Sequence, residues 1–394
     1  MALKIAIIIE RADIKLGGAE RSVLELRGAL SALGHSVDLL AAKGQATGKN
    51  IHILCQNNAG KRMNFFTFEE TLQQFLAENK HDIVHSVLPF EFADVYQPRG
   101  GTYAETIVRN AASYQNKFVE FYKKIFSVAN SRRTTLLRAE RKLAQANDGP
   151  VIAALSQYVS EQFRQHYSTD SQRIALILNG VKISKHHDSS QADKLRTEIL
   201  MKFHLKEADN PVFLLFAANN FRLKGLPTLI RAMQIVSQKQ TERKAYLIVA
   251  GHDKTKKYYH PVKALVPENI IFLGSLKNIH DAMSIIDVAV LPTFYDPSSR
   301  FILEALAAGK PVITTKYNGA CDLFSNNRHG KIIDDPRDAS ALAEAIVFYT
   351  DTKNIKDASQ AIVQDNLVEN ISISRAAKQL TELYESILKK KGIN

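Results

Sequence analysis

The chain has 394 residues, 45% of them apolar, with 18 glycines and 11 prolines. That is enough apolar material for the cores of two ordinary domains, and disorder is not the expected state. The formal net charge of +12 calls for an anionic partner, which composition alone leaves open among nucleic acid, an anionic membrane surface and phosphorylated substrates.

No run of about 18 uncharged apolar residues occurs, and Met1 leads straight into an apolar stretch without a basic n-region or cleavage site, so a cytosolic protein is expected. Cys55 and Cys321 fit no metal spacing and read as free thiols; neither a disulfide nor a zinc site is expected.

In chain order, residues 5–9, 37–41, 51–54, 83–86, 151–155 and 174–178 read as strands separated by helical patterns. The first is apolar at every position, as in a parallel sheet covered by helices on both faces. Gly17-Gly18-Ala19-Glu20 follows it after a seven-residue loop and opens a helix with the apolar face Ala19, Val23, Leu26, Leu30 and Leu33. Paired glycines let backbone approach a ligand, and a helix N-terminus offers N–H groups to phosphate, although a double glycine is equally an ordinary turn. Between Arg109 and Lys142 nine basic residues stand against Glu120 and Glu140, interleaved with Phe118, Phe121, Tyr122, Phe126 and Val128. Two readings fit this segment: an amphipathic element resting on anionic lipid, or a helical hairpin with solvated basic faces.

The polar stretch 182–210 suggests a domain boundary, drawn between 185 and 186. Strands then resume at 212–216, 245–250, 270–273, 288–291 and 312–314, giving a second βα domain over 186–371. Residues 374–391 place Ala377, Leu380, Leu383, Tyr384, Ile387 and Leu388 at helical spacing, so 372–394 is expected as a packed amphipathic helix.

Ligands of open parallel sheets bind beyond the carboxyl ends of the strands. Two loops there carry chemistry. Asn219-Asn220-Phe221-Arg222-Leu223-Lys224-Gly225 puts two cations after the first strand of the second domain, suited to a diphosphate or to an exposed basic turn. In Asp296-Pro297-Ser298-Ser299-Arg300-Phe301-Ile302-Leu303-Glu304-Ala305, Ser298 or Ser299 can cap a helix whose first N–H groups suit an anion. Glu304 one turn on can accept two hydroxyl hydrogen bonds, as from a ribose. Its apolar neighbours argue against a merely solvated residue.

Gly17-Gly18, Ser156-Gln157-Tyr158-Val159, Asn179-Gly180-Val181, Arg222-Leu223-Lys224-Gly225, Gly251, Phe272-Leu273-Gly274, Asp287, and the Asp296 loop followed by Pro311-Val312-Ile313-Thr314-Thr315 stand in the order found in one family. Over nearly its whole length the chain resembles the retaining GT-B glycosyltransferases of family four. Within that family it is most similar to lipopolysaccharide core glycosyltransferases, through Asn220-Phe221-Arg222-Leu223-Lys224-Gly225, Tyr295-Asp296-Pro297 and Asn318-Gly319-Ala320; the basic insertion resembles that group's membrane-docking segment.

The resemblance implies an α/β fold of two Rossmann-like domains facing across a cleft, with the C-terminal helix crossing back onto an acceptor-binding domain, 1–185. It implies transfer of a hexose from a nucleotide diphosphate sugar, by default a UDP-sugar, to a phosphorylated saccharide or lipid-linked acceptor. Arg222 and Lys224 would hold the diphosphate, helped by backbone at Gly17, Gly18, Phe301 and Ile302. Asn220, Ser299 and Arg300 would complete the donor site, Glu304 would hold the ribose and backbone at Leu273 would read the base. Asp296 stands at the first position of the family's Glu, seven residues, Glu pattern and is one methylene shorter. The family's His-x-His region reads His85-Ser86-Val87 here, and His85 admits two readings, a ring turned to the donor sugar or a core histidine at a strand end. The loop Gln97-Pro98-Arg99-Gly100-Gly101-Thr102 is a further source of contacts.

In this scheme Arg222, Lys224 and helix N-termini stabilise the leaving diphosphate, so turnover without a metal or other cofactor is expected. The enzyme would work in the cytoplasm, on the inner face of the membrane. Rival readings are a nucleotide-sugar epimerase and a non-catalytic, membrane-docked binding protein. Nucleic acid is not an expected partner, because no aromatic-basic recognition motif is present.

Overall fold

The computed structural model describes the chain except residues 1, 14–16, 46–47, 56–63, 115, 127–129, 184–188, 252–266, 277 and 393–394. Packing divides it into two compact units. The first comprises Met1–Ala111, Gln115–Lys182 and Ser372–Asn394, and the second Ala112–Tyr114 and Ile183–Ile371. The boundary expected between 185 and 186 falls outside the described residues.

In the first unit β1 (Lys4–Ala12), β2 (Ser36–Gly44), β3 (Ile51–Ile53), β4 (Ile83–Ser86), β5 (Val95–Tyr96), β6 (Val151–Ala154) and β7 (Ile174–Leu176) form a parallel sheet ordered β3-β2-β1-β4-β5-β6-β7. Its helices are α1 (Gly18–Ala32), α2 (Phe65–Glu78), α3 (Tyr103–Ala112), α4 (Lys117–Ile125), α5 (Ser131–Gln145) and α6 (Gln157–Tyr167). Side chains alternate across a strand, so the unbroken apolar run of β1 needs cover on both sides. Ile5, Ile7 and Ile9 pack with Val23, Leu26 and Leu30 of α1, while Ala6 and Ile8 pack with Phe65, Phe68 and Leu72 of α2. Ala19 and Leu33, expected on the buried face of α1, are exposed. The loop before α1 is also shorter than expected, because β1 continues to Ala12.

The second unit repeats the plan. β8 (Val212–Ala217), β9 (Ala245–Ala250), β10 (Ile270–Gly274), β11 (Val288–Leu291), β12 (Val312–Thr315) and β13 (Gly330–Ile333) form a parallel sheet ordered β10-β9-β8-β11-β12-β13. Around it lie α7 (Ser189–Lys202), α8 (Leu226–Ser237), α9 (Ile279–Ile285), α10 (Arg300–Ala307), α11 (Ala339–Phe348), α12 (Thr352–Gln364) and the short α13 (Leu367–Asn370). In both sheets the order reverses beside the first strand, between β1 and β4 and between β8 and β11, which is where open α/β sheets bind ligands.

Both switch strands are pinned at their amino ends by the same device. Asp82 takes a hydrogen bond from the Lys4 N–H at 2.7 Å, and its own N–H donates to the Lys4 carbonyl at 2.8 Å. Asp287 does the same with Phe213, at 2.8 and 2.9 Å.

The last helix, α14 (Ile373–Lys390), packs on the first unit, where Leu380, Tyr384, Ile387 and Leu388 join the core of β1 and α1. The chain re-enters that unit through a bridge between Val181 and Ser372. A Cβ on Gly180 would lie 2.5 Å from the Ser372 carbonyl oxygen, so only glycine permits this approach.

A buried carboxylate ties the helical side of the first unit together. Glu140 accepts hydrogen bonds from the hydroxyls of Tyr96 (2.8 Å) and Tyr167 (2.5 Å) and from the Tyr103 N–H (2.7 Å). Burial pushes its carboxyl up to about 7, against the pull of those donors. The fold thus favours the protonated form, and the stabilisation it brings is full below the unfolded value near 4.5 and lost as pH rises through about 7. Glu140→Gln, permanently neutral, should therefore show a melting temperature that falls less than wild type between about pH 5 and about pH 7.5. Parallel pH profiles in a scanning-calorimetry series would show that the group is already ionised across that range.

Candidate functional site

In the second unit the loop after β8 folds down onto the loop after β11. Gly225 has φ +83°, and a Cβ there would lie 1.9 Å from the Pro292 carbonyl oxygen, so the approach depends on glycine. The Phe294 N–H donates to the Leu223 carbonyl at 2.9 Å, and the Thr293 hydroxyl donates to the Tyr295 carbonyl at 2.9 Å. This lacing brings Lys224 Nζ to 2.6 Å from Asp296 Oδ2 and 2.9 Å from the Tyr295 carbonyl. Asp296 Oδ1 accepts the Ser298 N–H at 3.2 Å. Asn220 shapes the turn, its Oδ1 accepting the Leu223 N–H at 3.1 Å. Arg222 lies with its guanidinium carbon 3.8 Å from the ring centre of Tyr114 and donates to the Ser113 hydroxyl.

Ser299 takes the N-cap position of α10, but its side chain makes no cap bond. The nearby buried Asn318 fastens the turn: its Oδ1 accepts from the N–H groups of Ser299 (3.0 Å) and Ala320 (3.1 Å), and its Nδ2 donates to the Thr314 hydroxyl at 3.0 Å. The first turn of α10, with Arg300, Phe301 and Ile302, therefore starts from a fixed point. Glu304 is 7% exposed and paired with Arg300 at 3.0 Å, so it is not a solvated helix residue. Leu273 stands half-buried near the carboxyl end of β10, where the Gly251 N–H donates to the Gly274 carbonyl at 2.7 Å.

The first unit has its own concavity at its switch point. A cavity of about 150 Å³ is lined by Glu10 and Arg11 of β1, Ala19 and Glu20 of α1, Val87 and Leu88 beyond β4, and Arg99 of the 97–102 loop. Arg99 donates to the Ser22 hydroxyl at 2.9 Å and to Asn179 Oδ1 at 3.0 Å; Glu10 pairs with Arg132 at 2.6 Å. Gly17 and Gly18 sit beside it as N-cap and first residue of α1.

His85 lies near the carboxyl end of β4. It is wholly buried, with Nδ1 2.6 Å from the Tyr384 hydroxyl, and burial followed by the charge of Arg99 pushes its ring down to about 3. Its Nε2, equally buried, makes no hydrogen bond among the described residues. Ser156 caps α6, its hydroxyl accepting the Val159 N–H at 3.1 Å. The basic insertion is two-natured: α5 is partly buried, whereas α4 has no buried residue, and Phe118 (87%), Phe121 (67%) and Tyr122 (52%) are exposed. Val128 lies outside the described residues.

Sequence reasoning missed Tyr114 and Ser113, which no local pattern ties to Arg222. It also missed the stapling role of Asn318, although an Asn-Gly pair just past a strand was a signal for it.

A doubly repeated Rossmann-like plan of two parallel-sheet α/β units is the build of a GT-B glycosyltransferase. Residues 16–185 match the family model Glycosyltransferase Family 4, and residues 198–364 match Glycosyl transferases group 1. The chain belongs to this family of glycosyltransferases. The lipopolysaccharide glucosyltransferase WaaG of Escherichia coli K12 is 23% identical over 337 residues, covering 84% of this chain and 85% of WaaG. The crystal structure of WaaG, described as a glycosyltransferase involved in lipopolysaccharide biosynthesis, matches with TM-score 0.67 at 22% identity over 98% of both chains. The Anabaena protein HepE in complex with UDP-glucose matches with TM-score 0.70 at 17% identity over 98% of this chain and 100% of HepE.

Asn318→Ala would strand the Ser299 and Ala320 N–H groups, while the Thr314 hydroxyl would keep its bond to the Leu291 carbonyl. A loss of about 1–3 kcal/mol in urea denaturation is expected. Unchanged stability would show that the turn before α10 holds without the staple.

Proposed function

We propose that this glycosyltransferase moves a hexose from a UDP-sugar, with retention at the anomeric carbon, to a phosphorylated or lipid-linked saccharide of the lipopolysaccharide core type, at an anionic membrane surface. The observation that carries the donor reading is the Lys224–Asp296 contact at the switch point between β8 and β11.

Lys224 and Arg222 take the donor diphosphate, and the N–H groups of Phe301 and Ile302 assist. Asn220, Ser299 and Arg300 frame the site, Glu304 accepts from the ribose hydroxyls, and backbone near Leu273 meets the base. Asp296, one methylene shorter than the family's glutamate, orients the Lys224 ammonium. As the glycosidic bond to phosphate breaks, negative charge grows on the leaving diphosphate, and two fixed cations stabilise it without a metal. UDP is favoured because HepE was solved with UDP-glucose, and the acceptor class because WaaG is a lipopolysaccharide glucosyltransferase. The exposed aromatic and basic face of α4 supports docking on anionic lipid. No helix among the described residues is long and apolar enough to cross a membrane.

Of UDP, GDP and ADP with their sugar conjugates, the UDP series should raise the melting temperature; at a hundred times Kd such binding stabilises by about 2.7 kcal/mol. Lys224→Ala and Glu304→Ala should abolish the shift, and turnover should persist in chelator. Absence of stabilisation by any nucleotide would sink the donor reading, and activity lost to chelator and restored by Mn²⁺ would sink metal independence. Replacing Phe118 and Phe121 together by glutamate should cut co-sedimentation with phosphatidylglycerol vesicles severalfold; undiminished binding would leave the basic hairpin as a solvated face.

A further inference from the structure

The three residues Ala112, Ser113 and Tyr114 pack with the second unit although they come from a distant part of the sequence. Two arginines of that unit hold them. Arg337 Nη2 donates to the Ala112 carbonyl at 2.6 Å, and Arg222 donates to the buried Ser113 hydroxyl while stacking on the Tyr114 ring. The stack is close, 3.8 Å from guanidinium carbon to ring centre, well inside the range where an aromatic face attracts a cation.

A guanidinium is flat, and its N–H groups point outward in its own plane. The Tyr114 ring covers one face at the guanidinium carbon, and the Ser113 hydroxyl accepts from one of its N–H groups, so two contacts restrain it. Lys224, two residues on, is oriented independently by Asp296 and the Tyr295 carbonyl.

We infer that Tyr114 and Ser113 are positioning residues for the donor site, holding the Arg222 guanidinium at the angle from which it grips the diphosphate. The inference rests on the reading of Arg222 as a diphosphate ligand. It deepens that reading by assigning part of the donor site to residues 113 and 114, about a hundred positions from the rest of it. A ring that only fills space would leave phosphate recognition untouched. A ring that sets the arginine affects phosphate-bearing ligands selectively.

The test compares UDP and uridine binding, by calorimetry and saturation-transfer NMR, in wild type, Tyr114→Leu, Tyr114→Phe, Arg222→Ala and the Tyr114→Leu/Arg222→Ala double variant. Tyr114→Leu should weaken UDP binding about three- to thirtyfold, with uridine unchanged. Tyr114→Phe, which keeps the ring, should recover most of that loss, and in the Arg222→Ala background the Leu substitution should add nothing. If Arg222→Ala weakens UDP while Tyr114→Leu does not, or if the two losses add in full, the positioning role is overturned and the donor reading survives. Tighter UDP binding by Tyr114→Leu overturns it too, since the ring would then be blocking the arginine. If Arg222→Ala itself leaves UDP binding intact, the donor reading of Arg222 fails and takes the inference with it.

Discussion

A single carboxylate at the amino end of each switch strand sets the frame for everything at the other end. Asp82 and Asp287 each exchange two hydrogen bonds with one residue of the neighbouring first strand, Lys4 and Phe213. Because side chains alternate with a period of two, a slip of one residue would turn every apolar side chain of the strand to the wrong face. The aspartates remove that freedom where the strands begin, so the loops beyond Leu291 and Ser86 leave their sheets at defined points. The short distances between Lys224, Asp296 and the Tyr295 carbonyl depend on this more distant fixing.

Two charge pairs of the second unit's site are made within the protein itself. Lys224 rests on Asp296, and Arg300 rests on Glu304 where both side chains are largely buried. Removing two opposite charges from water is costly, and pairing offsets the cost only when geometry is good, so each pair is safer than either member alone. A ligand entering such a site meets groups already oriented and largely withdrawn from water. The shorter Asp296 fits this arrangement, since its two oxygens are committed to Lys224 and to the Ser298 N–H.

The sequence spoke most clearly where one physical pattern covered many residues. The unbroken apolar run of β1 announced a doubly covered parallel strand, and the spacing of Leu380, Tyr384, Ile387 and Leu388 announced the buried face of α14. β5 escaped notice because two residues, Val95 and Tyr96, are too few to show a period, and β13 because it opens on Gly330. The polar stretch 182–210 hid α7, which buries only Ala192, Ile199 and Leu200 and so has a weak apolar face. At the site, the cations and carboxylates could be read in their loops, but not their partners. That Lys224 meets Asp296 and Arg222 meets Tyr114 follows from topology, which joins residues 72 and 108 positions apart. The contact of His85 with Tyr384 joins residues 299 positions apart and was not readable in its strand.

The return of α14 to the first unit has a consequence for how the chain is made. Residues 183–371 are complete before Ser372–Asn394 leave the ribosome, so the unit begun first is finished last. Until then Ile5, Ile7 and Ile9 have α1 beside them but lack Leu380, Tyr384 and Ile387, and part of their core stays open to water. At about 5–20 residues per second that interval lasts on the order of ten to forty seconds. During it the nascent first unit offers an apolar face to any neighbouring chain, and the arrival of the final helix is what closes it.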